Sequence, residues 1–474
     1  MKKTKIVATI GPASESEKVL EKMMKAGMNV ARLNFSHGEY DWHKTAIERI
    51  RKVAKKNNFN VSILADLQGP RIRVNTKEVV AKKGDKILLY SVGEKAVNEK
   101  EKFIFLDKKN IIDKLKEGQE ILIEDGLIKL TVEKNKKNYL ETKVVDPGTI
   151  KNHKGVNIPG ADLDIEVITP KDKRDLFFSL ENDVDFVAIS FVKNSENLRE
   201  LRKLIASKIK DVSKQPKIIS KIERKEAVDN LEDILMETDG VMVARGDLGI
   251  EMDESRVVIL QKEIIAKSIR YMKPVIVATQ MLDSMINNPR PTRAEVGDVS
   301  NAVIDHADAV MLSGESANGK YPVEAVEIMS RIIEKTEESI YDDVNGILEY
   351  KIDHHADDYV VIIRSAYELA KSFDARAICA VSVSGFTANL ISHFRPTQKI
   401  IVATNNPKTF CQLSLIWGVD GYLFKDKKLE NLIDKAVIEA KKDKELKKND
   451  RVVVVMGRVL DGEKMRLVGI KKVA

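Results

Sequence analysis

Eight short runs rich in β-branched residues, separated by stretches of helical periodicity, constrain this chain more than any other feature. They are Thr4 to Ile10, Asn29 to Leu33, Val61 to Asp66, Val184 to Ile189, Lys217 to Ile222, Gly240 to Ala244, Val275 to Ala278 and Ala309 to Leu312. Between them lie helix-patterned stretches such as Ser16 to Ala26 and Asp41 to Lys55, and Ser14 with Glu17 has capping-box spacing. Strand and helix alternating eight times predict a (β/α)8 TIM barrel.

One interval breaks the rhythm. More than a hundred residues separate Val61 from Val184, where a βα unit needs roughly 30. Short strand patterns at Lys86 to Tyr90, Glu120 to Glu124, Leu127 to Val132 and Tyr139 to Val145, with turns at Glu124-Asp125-Gly126 and Asp146-Pro147-Gly148, predict an inserted small β-barrel lid over 70–165. The barrel then comprises 1–69 and 166–341. After Tyr341 comes a polar linker, Asp342 to Asp358. A helix over Tyr359 to Lys371 follows, then strands at Ala375 to Val381, Ile400 to Ala403, Gly421 to Phe424, Val452 to Met456 and Leu467 to Ile470. This predicts a C-terminal α/β domain over 342–474 with a largely parallel sheet.

The length of 474 residues suits such a division. Basic and acidic residues number 80 and 73 and are mixed throughout, so the net charge of +7 marks solvated faces and no nucleic-acid partner. The two cysteines, Cys379 and Cys411, form no CxxC pair, which points to a reducing cytoplasm. The N-terminus lacks a signal-peptide core, and no apolar run is long enough to span a membrane.

In such a barrel the chemistry belongs at the carboxyl ends of the strands. Lys217 to Arg224 reads Lys-Ile-Ile-Ser-Lys-Ile-Glu-Arg, and Lys221 and Glu223, two residues apart at a strand end, point to one side. An ordinary surface ion pair would share that spacing. Other strand ends supply Arg32, Asn34 and Ser36; Asp66; Gly246 and Asp247; Thr279; and Ser313 with Glu315. Glu223 and Asp247, from neighbouring strands and with no His or Cys nearby, suit Mg²⁺ or Mn²⁺ and disfavour zinc. Lys221 and Arg32 beside that ion suit phosphoryl transfer. A Schiff-base aldolase using Lys221 is the competing enzyme, and a non-catalytic scaffold is disfavoured by so many costly charges.

The runs Thr9-Ile10-Gly11-Pro12-Ala13, Ala31 to Gly38, Ser220-Lys221-Ile222-Glu223, Ala244 to Gly249, Ala278 to Leu282 and Leu312 to Glu315 closely resemble the pyruvate kinase family. So do Lys154 to Gly160 and Trp417-Gly418-Val419. The resemblance runs through the whole chain in order and implies a barrel, a lid after the third strand and a regulatory C-terminal domain. It implies phosphoryl transfer from phosphoenolpyruvate to ADP, giving pyruvate and ATP in the last step of glycolysis, and a homotetramer.

By that resemblance Lys221 stabilises the moving phosphoryl, Arg32 faces it, and Glu223 and Asp247 hold Mg²⁺. Gly246, Asp247 and Thr279 bind phosphoenolpyruvate or pyruvate, while Asn34, His37, Arg73 and Lys154 serve the nucleotide. Thr279, Ser313 and Glu315 organise proton delivery. The family's K⁺ position matches Asn34, Ser36, Asp66 and Leu67. The family's potassium-dependent motif, however, reads Asp-Thr-Lys-Gly-Pro-Glu-Ile-Arg-Thr, where this chain has Asp66-Leu67-Gln68-Gly69-Pro70-Arg71-Ile72-Arg73-Val74. A guanidinium at position 71 implies activity without K⁺, unless Arg71 is only an exposed hinge residue.

Ser382, Ser384, Gly385, Phe386 and Thr387 lie between a strand and a helix, where amides and hydroxyls form a phosphate pocket. The family's sugar-phosphate or nucleotide effectors bind at the matching loop; a side-chain N-cap by Ser384 or Thr387 is the alternative. The end at Ala474 implies no extra phosphohistidine-like domain. His306 and the pair His354-His355 read as structural or solvent-facing, and Met281, Met285 and Met311 as packing.

Overall fold

A computed structural model describes residues 2–97, 101–161, 163, 165–339, 341, 358–426, 428–460 and 463–474. The linker residues 342–357, with His354 and His355, lie outside the described residues. The eight expected strands are β1 (Lys5–Thr9), β2 (Val30–Asn34), β3 (Ser62–Asp66), β4 (Phe186–Ile189), β5 (Lys217–Ile222), β6 (Gly240–Ala244), β7 (Val275–Ala278) and β8 (Ala309–Leu312). They form a closed parallel barrel in which each strand borders its neighbours in sequence and β8 returns to β1.

Two-residue alternation sorts their side chains. Val7, Val30, Leu64, Ala188 and Ile219 fill the barrel interior, whereas Ile6, Ala31, Ile63, Val187 and Ile218 pack outward under the helices. Two residues beyond those interior positions stand Thr9, Arg32, Asp66, Ser190 and Lys221. The same pleat that builds the apolar core therefore delivers a ring of polar side chains at the carboxyl mouth. The first helix, Glu17–Ala26, is capped by Ser16, which accepts from Val19 N. The expected Ser14–Glu17 box is absent, because Ser14 Oγ closes the preceding turn by accepting from Gly11 N at 3.1 Å.

Between β3 and β4 the inserted segment forms a seven-stranded sheet, in the order Ile72–Arg73, Gly155–Asn157, Glu120–Ile123, Ile128–Asn135, Tyr139–Asp146, Lys86–Ser91 and Lys102–Leu106. Asn75 N to Phe105 O at 2.8 Å and Asp107 N to Arg73 O at 2.9 Å join its outer strands, so the sheet nearly closes. The strand Lys102–Leu106 was not expected from sequence, and the two- and three-residue strands are too short to show alternation.

The C-terminal unit carries β9 (Ala377–Val381), β10 (Lys399–Thr404), β11 (Val419–Leu423), β12 (Arg451–Leu460) and β13 (Glu463–Lys472). Their order is β11-β10-β9-β12-β13, parallel except for the last strand. This unit stops the amino end of the barrel. Leu415 enters the barrel's interior cluster, Lys408 Nζ donates to Val184 O at 2.9 Å, and Gln412 Nε2 reaches Asp185 O at 3.2 Å.

Arg395 fastens the two units. Its guanidinium donates to Asp308 Oδ1 at 2.9 Å and His306 O at 2.7 Å, and it lies 4.9 Å from the Trp417 ring centroid. Both charged side chains are 0% exposed. Removing one partner of such a pair strands the other in low dielectric. Arg395→Met should therefore lower stability by about 3–5 kcal/mol in urea unfolding, and adding Asp308→Asn should restore part of it; an unchanged midpoint for the single variant would contradict the account.

Candidate active site

The polar ring at the barrel mouth is held together by mutual charge compensation. Arg32 donates from Nε to Asp66 Oδ2 at 2.7 Å and from Nη1 to Thr9 Oγ1 at 2.8 Å. Lys221 Nζ donates to Ser190 Oγ at 2.8 Å and lies 3.4 Å from Asp66 Oδ1 and 2.8 Å from Glu223 Oε1. Phe191, in a left-handed conformation with φ 57°, gives its N–H to Glu223 Oε2 at 2.7 Å. The carboxylate of Glu223 is 0% exposed. Oε1 receives no hydrogen bond of normal geometry, despite its ion pair with Lys221.

These contacts set the ionisation. Burial pushes Asp66 up, but Lys221 and Arg32 outweigh it and hold the carboxyl below its usual range. Burial likewise pulls the Lys221 ammonium down, and Asp66, Glu223 and Asp247 more than reverse it. Glu223 is raised, by burial first, with Lys221 opposing and the Asp247 carboxylate reinforcing the shift. A buried carboxylate raised in part by the charge of a second one creates a local demand for positive charge.

The loops after β6, β7 and β8 are braced from behind. Thr279 and Gln280 take left-handed φ values of 70° and 55°, and Thr279 Oγ1 accepts from Gly246 N at 2.9 Å. The buried Arg245 secures that turn, donating to Thr279 O at 2.6 Å and Asp298 Oδ1 at 2.6 Å. Glu315 accepts from Ser313 N at 2.7 Å and Leu282 N at 3.1 Å. Burial raises its carboxyl, and those backbone N–H groups oppose the rise.

Arg71, on the lid connection, donates from Nη2 to Asp247 Oδ1 at 2.9 Å. It is therefore engaged with the barrel and is no free hinge residue. Arg73 Nη1 donates to His153 O at 2.9 Å, and Lys154 pairs with Glu124 within the lid. Burial, and then the guanidinium groups of Arg73, Arg71 and Arg32, lower His37, leaving its imidazole neutral near pH 7.

A cleft of about 200 Å³ gathers Arg32, Asn34, Ser36, His37, Arg71, Arg73, Lys221, Glu223, Asp247 and Thr279. Gln68, Ser190, Phe191, Met242 and Met311 also line it. Asp66 and Gly246 stand just behind, bonded to lining groups. Leu67 is buried in the outer core. Ser313, Glu315 and Lys154 do not line the cleft. Sequence reasoning missed Ser190, although two-residue counting from Phe186 and Ala188 reaches it, and it gave no role to Arg245, which faces backward to brace the Thr279 turn. Among the described residues, no group of three or more His, Cys, Asp or Glu is arranged to hold a metal.

At the far side of the protein, the helix Phe386–His393 starts after Gly385, whose φ is 83°, and no side chain caps it. The expected alternative, a cap by Ser384 or Thr387, is thus not formed. Ser382 Oγ is buried without a hydrogen-bond partner, Thr387 Oγ1 bonds Tyr359 Oη, and Phe386 stacks on Tyr359.

Residues 1–326 match the family model described as pyruvate kinase, barrel domain, and residues 360–465 match pyruvate kinase, alpha/beta domain. A pyruvate kinase of Clostridium perfringens is 42% identical over 448 residues, covering 93% of this chain and 92% of that one. One from Staphylococcus epidermidis is 41% identical over 471 residues, covering 98% and 79%. The crystal structure of a pyruvate kinase from Cryptosporidium parvum superposes with a TM-score of 0.93 at 34% identity, covering 100% of this chain and 96% of that one. With both family models matched in order and a compensated cation–carboxylate cluster at the barrel mouth, this chain belongs to the pyruvate kinase family of phosphotransferases.

Proposed function

We propose that this chain moves the phosphoryl group of phosphoenolpyruvate to ADP, giving pyruvate and ATP with the help of Mg²⁺ or Mn²⁺. The observation that carries the reading is the cluster of Arg32, Asp66, Lys221 and Glu223 around one cleft. Glu223, buried and with Oε1 lacking a hydrogen bond, and Asp247 would hold the divalent ion. Oxygen donors alone, with other positions left to substrate and water, suit Mg²⁺. A divalent ion held there supplies positive charge to steady the substrate carboxylate and the enolate oxygen.

The chain's own residues do the rest. Arg32 has Nε and Nη1 committed to Asp66 and Thr9, which leaves Nη2 to orient a phosphoryl oxygen. Lys221 is fixed by Ser190, Asp66 and Glu223 as an ammonium, so it neutralises charge on the phosphoryl in flight and is unsuited to the nucleophilic role of an aldolase lysine. Thr279 Oγ1 accepts from Gly246 N, so its hydroxyl proton is free to serve the substrate or the proton path. Glu315 and Ser313 act by holding the turn behind it. Asn34, His37, Arg73 and Lys154 serve ADP, with the arginines around His37 supplying the field for its phosphates.

The divisions 1–69 with 166–341, 70–165 and 342–474 are proposed as catalytic barrel, lid and regulatory domain. The uncapped loop Ser382–Thr387 supports an effector that is a sugar phosphate or nucleotide. A cytoplasmic homotetramer follows the family pattern. The K⁺ ligands Asn34, Ser36, Asp66 and Leu67 are proposed to be dispensable, because the Arg71 guanidinium already stands on Asp247 and contributes a fixed positive charge to the site.

Lys221→Met should lower turnover in a coupled pyruvate assay by about 10³-fold or more while Mn²⁺ binding persists; near-normal turnover would remove Lys221 from its role. In potassium-free and sodium-free buffer the wild type should keep its turnover to within about twofold, and Arg71→Glu should make it K⁺-dependent. Wild-type activity that vanishes without K⁺ would refute the substitution of ion by arginine.

A further inference from the structure

The strand that carries Lys221 at the catalytic mouth carries a second lysine, Lys217, at its other end. Lys217, Ile219 and Lys221 share one face of β5. Ile219 packs in the barrel interior, so Lys217 emerges at the amino end, where the C-terminal unit stops the barrel. There it meets the loop before the helix Phe386–His393. A β-carbon at Gly385 would lie 3.2 Å from Lys217 Nζ and 3.7 Å from Thr409 Cγ2. The ammonium is therefore in contact with the loop itself.

Its charge is poorly compensated. Burial lowers the Lys217 ammonium, and the opposing influence comes from Asp239. One oxygen of that carboxylate is already shared, since Asp239 Oδ2 receives Ile218 N at 2.8 Å and Arg202 Nη2 at 3.0 Å. Lys273 adds a further cation nearby, its Nζ donating to Thr238 O at 2.7 Å. Among the described residues no carboxylate lies within 4.0 Å of Lys217 Nζ. Buried charges are normally paired or bound to an ion of opposite sign. On the loop side, Ser382 Oγ is buried with no hydrogen-bond partner, and the first N–H groups of the helix have no side-chain cap. Donors and an uncompensated cation thus converge from two separate structural units.

We infer that Lys217 is the barrel's own ligand for a phosphoryl anion seated in the Ser382–Thr387 loop, making that site a joint product of the catalytic barrel and the C-terminal unit. The inference rests on the effector reading of this loop and adds to it a residue outside the C-terminal unit. Lys217 and Lys221 stand four residues apart on one strand, about 13 Å along it. An anion at one end is thereby tied to the strand that works at the other. Thr409, which donates to Val383 O at 2.6 Å, and Lys408, which donates to Val184 O, hold the loop and barrel in register.

Isothermal titration calorimetry on the full chain tests this with inorganic phosphate, glucose 6-phosphate, fructose 1,6-bisphosphate and AMP as probes. The wild type should bind at least one of them. Lys217→Met should weaken that binding by about tenfold or more, and Lys217→Arg should keep it to within about threefold. Without probe, Lys217→Met should melt at or above the wild-type temperature, because an uncompensated charge has been removed; this separates lost binding from lost folding. Because burial lowers the Lys217 ammonium and a bound anion would restore it, the wild type should take up protons on binding in alkaline buffer, seen as a dependence of the heat on buffer ionisation enthalpy, and Lys217→Met should not. Equal affinity in the wild type and Lys217→Met overturns the role of Lys217 and leaves the loop as an effector site. Failure of every probe to bind the wild type overturns the effector reading, and the assignment of Lys217 with it.

Discussion

A lysine ammonium and an arginine guanidinium, largely buried at the mouth of a closed barrel, survive there because Asp66 stands between them. Its Oδ2 takes Arg32 at 2.7 Å, and its Oδ1 faces Lys221 at 3.4 Å. Without that carboxylate the two cations would repel one another in a region where few other groups can answer them. With it, both are fixed in position before any substrate arrives. Lys221 is pinned further by Ser190 and Glu223, so the cleft offers its positive charge in a preorganised geometry. Phosphoryl transfer asks a protein for little else, since positioning and charge stabilisation dominate its energetics.

The rest of the molecule can be understood as support for that arrangement. The apolar layer of Val30, Leu64 and Ile219 sets the pleat that turns Arg32, Asp66 and Lys221 inward. Behind the opposite wall, Arg245 and Glu315 tie three loops together through backbone carbonyl and N–H groups, which keeps the left-handed turn at Thr279 in place. The C-terminal unit closes the amino end with Leu415 and the Arg395–Asp308 pair. The lid approaches from the other side and contributes Arg71 and Arg73 to the cleft.

Much of this was legible in the sequence for a simple physical reason. A strand repeats every two residues, so an apolar run ending in spaced charges announces which side chains share a space. Arg32, Lys221 and Glu223 were readable in that way, and Asp247 by its place after β6. Ser190 obeyed the same rule but was hidden inside the apolar run Ala188-Ile189-Ser190-Phe191. Arg245 and Glu315 could not be sorted, because a charged residue past a strand end can turn toward the cleft or back under a loop, and only the neighbouring backbone decides. The lid strand Lys102–Leu106 and the stopper Leu415 depend on partners distant in sequence, which no local pattern reports.

The central claim is that Glu223 and Asp247 share one divalent ion in the field of Lys221 and Arg32. Anomalous diffraction from crystals grown with Mn²⁺ addresses it directly. The account predicts a single peak at the barrel mouth, with an oxygen of each carboxylate at about 2.2 Å. A peak bound elsewhere, or one touching only a single member of the pair, would contradict it.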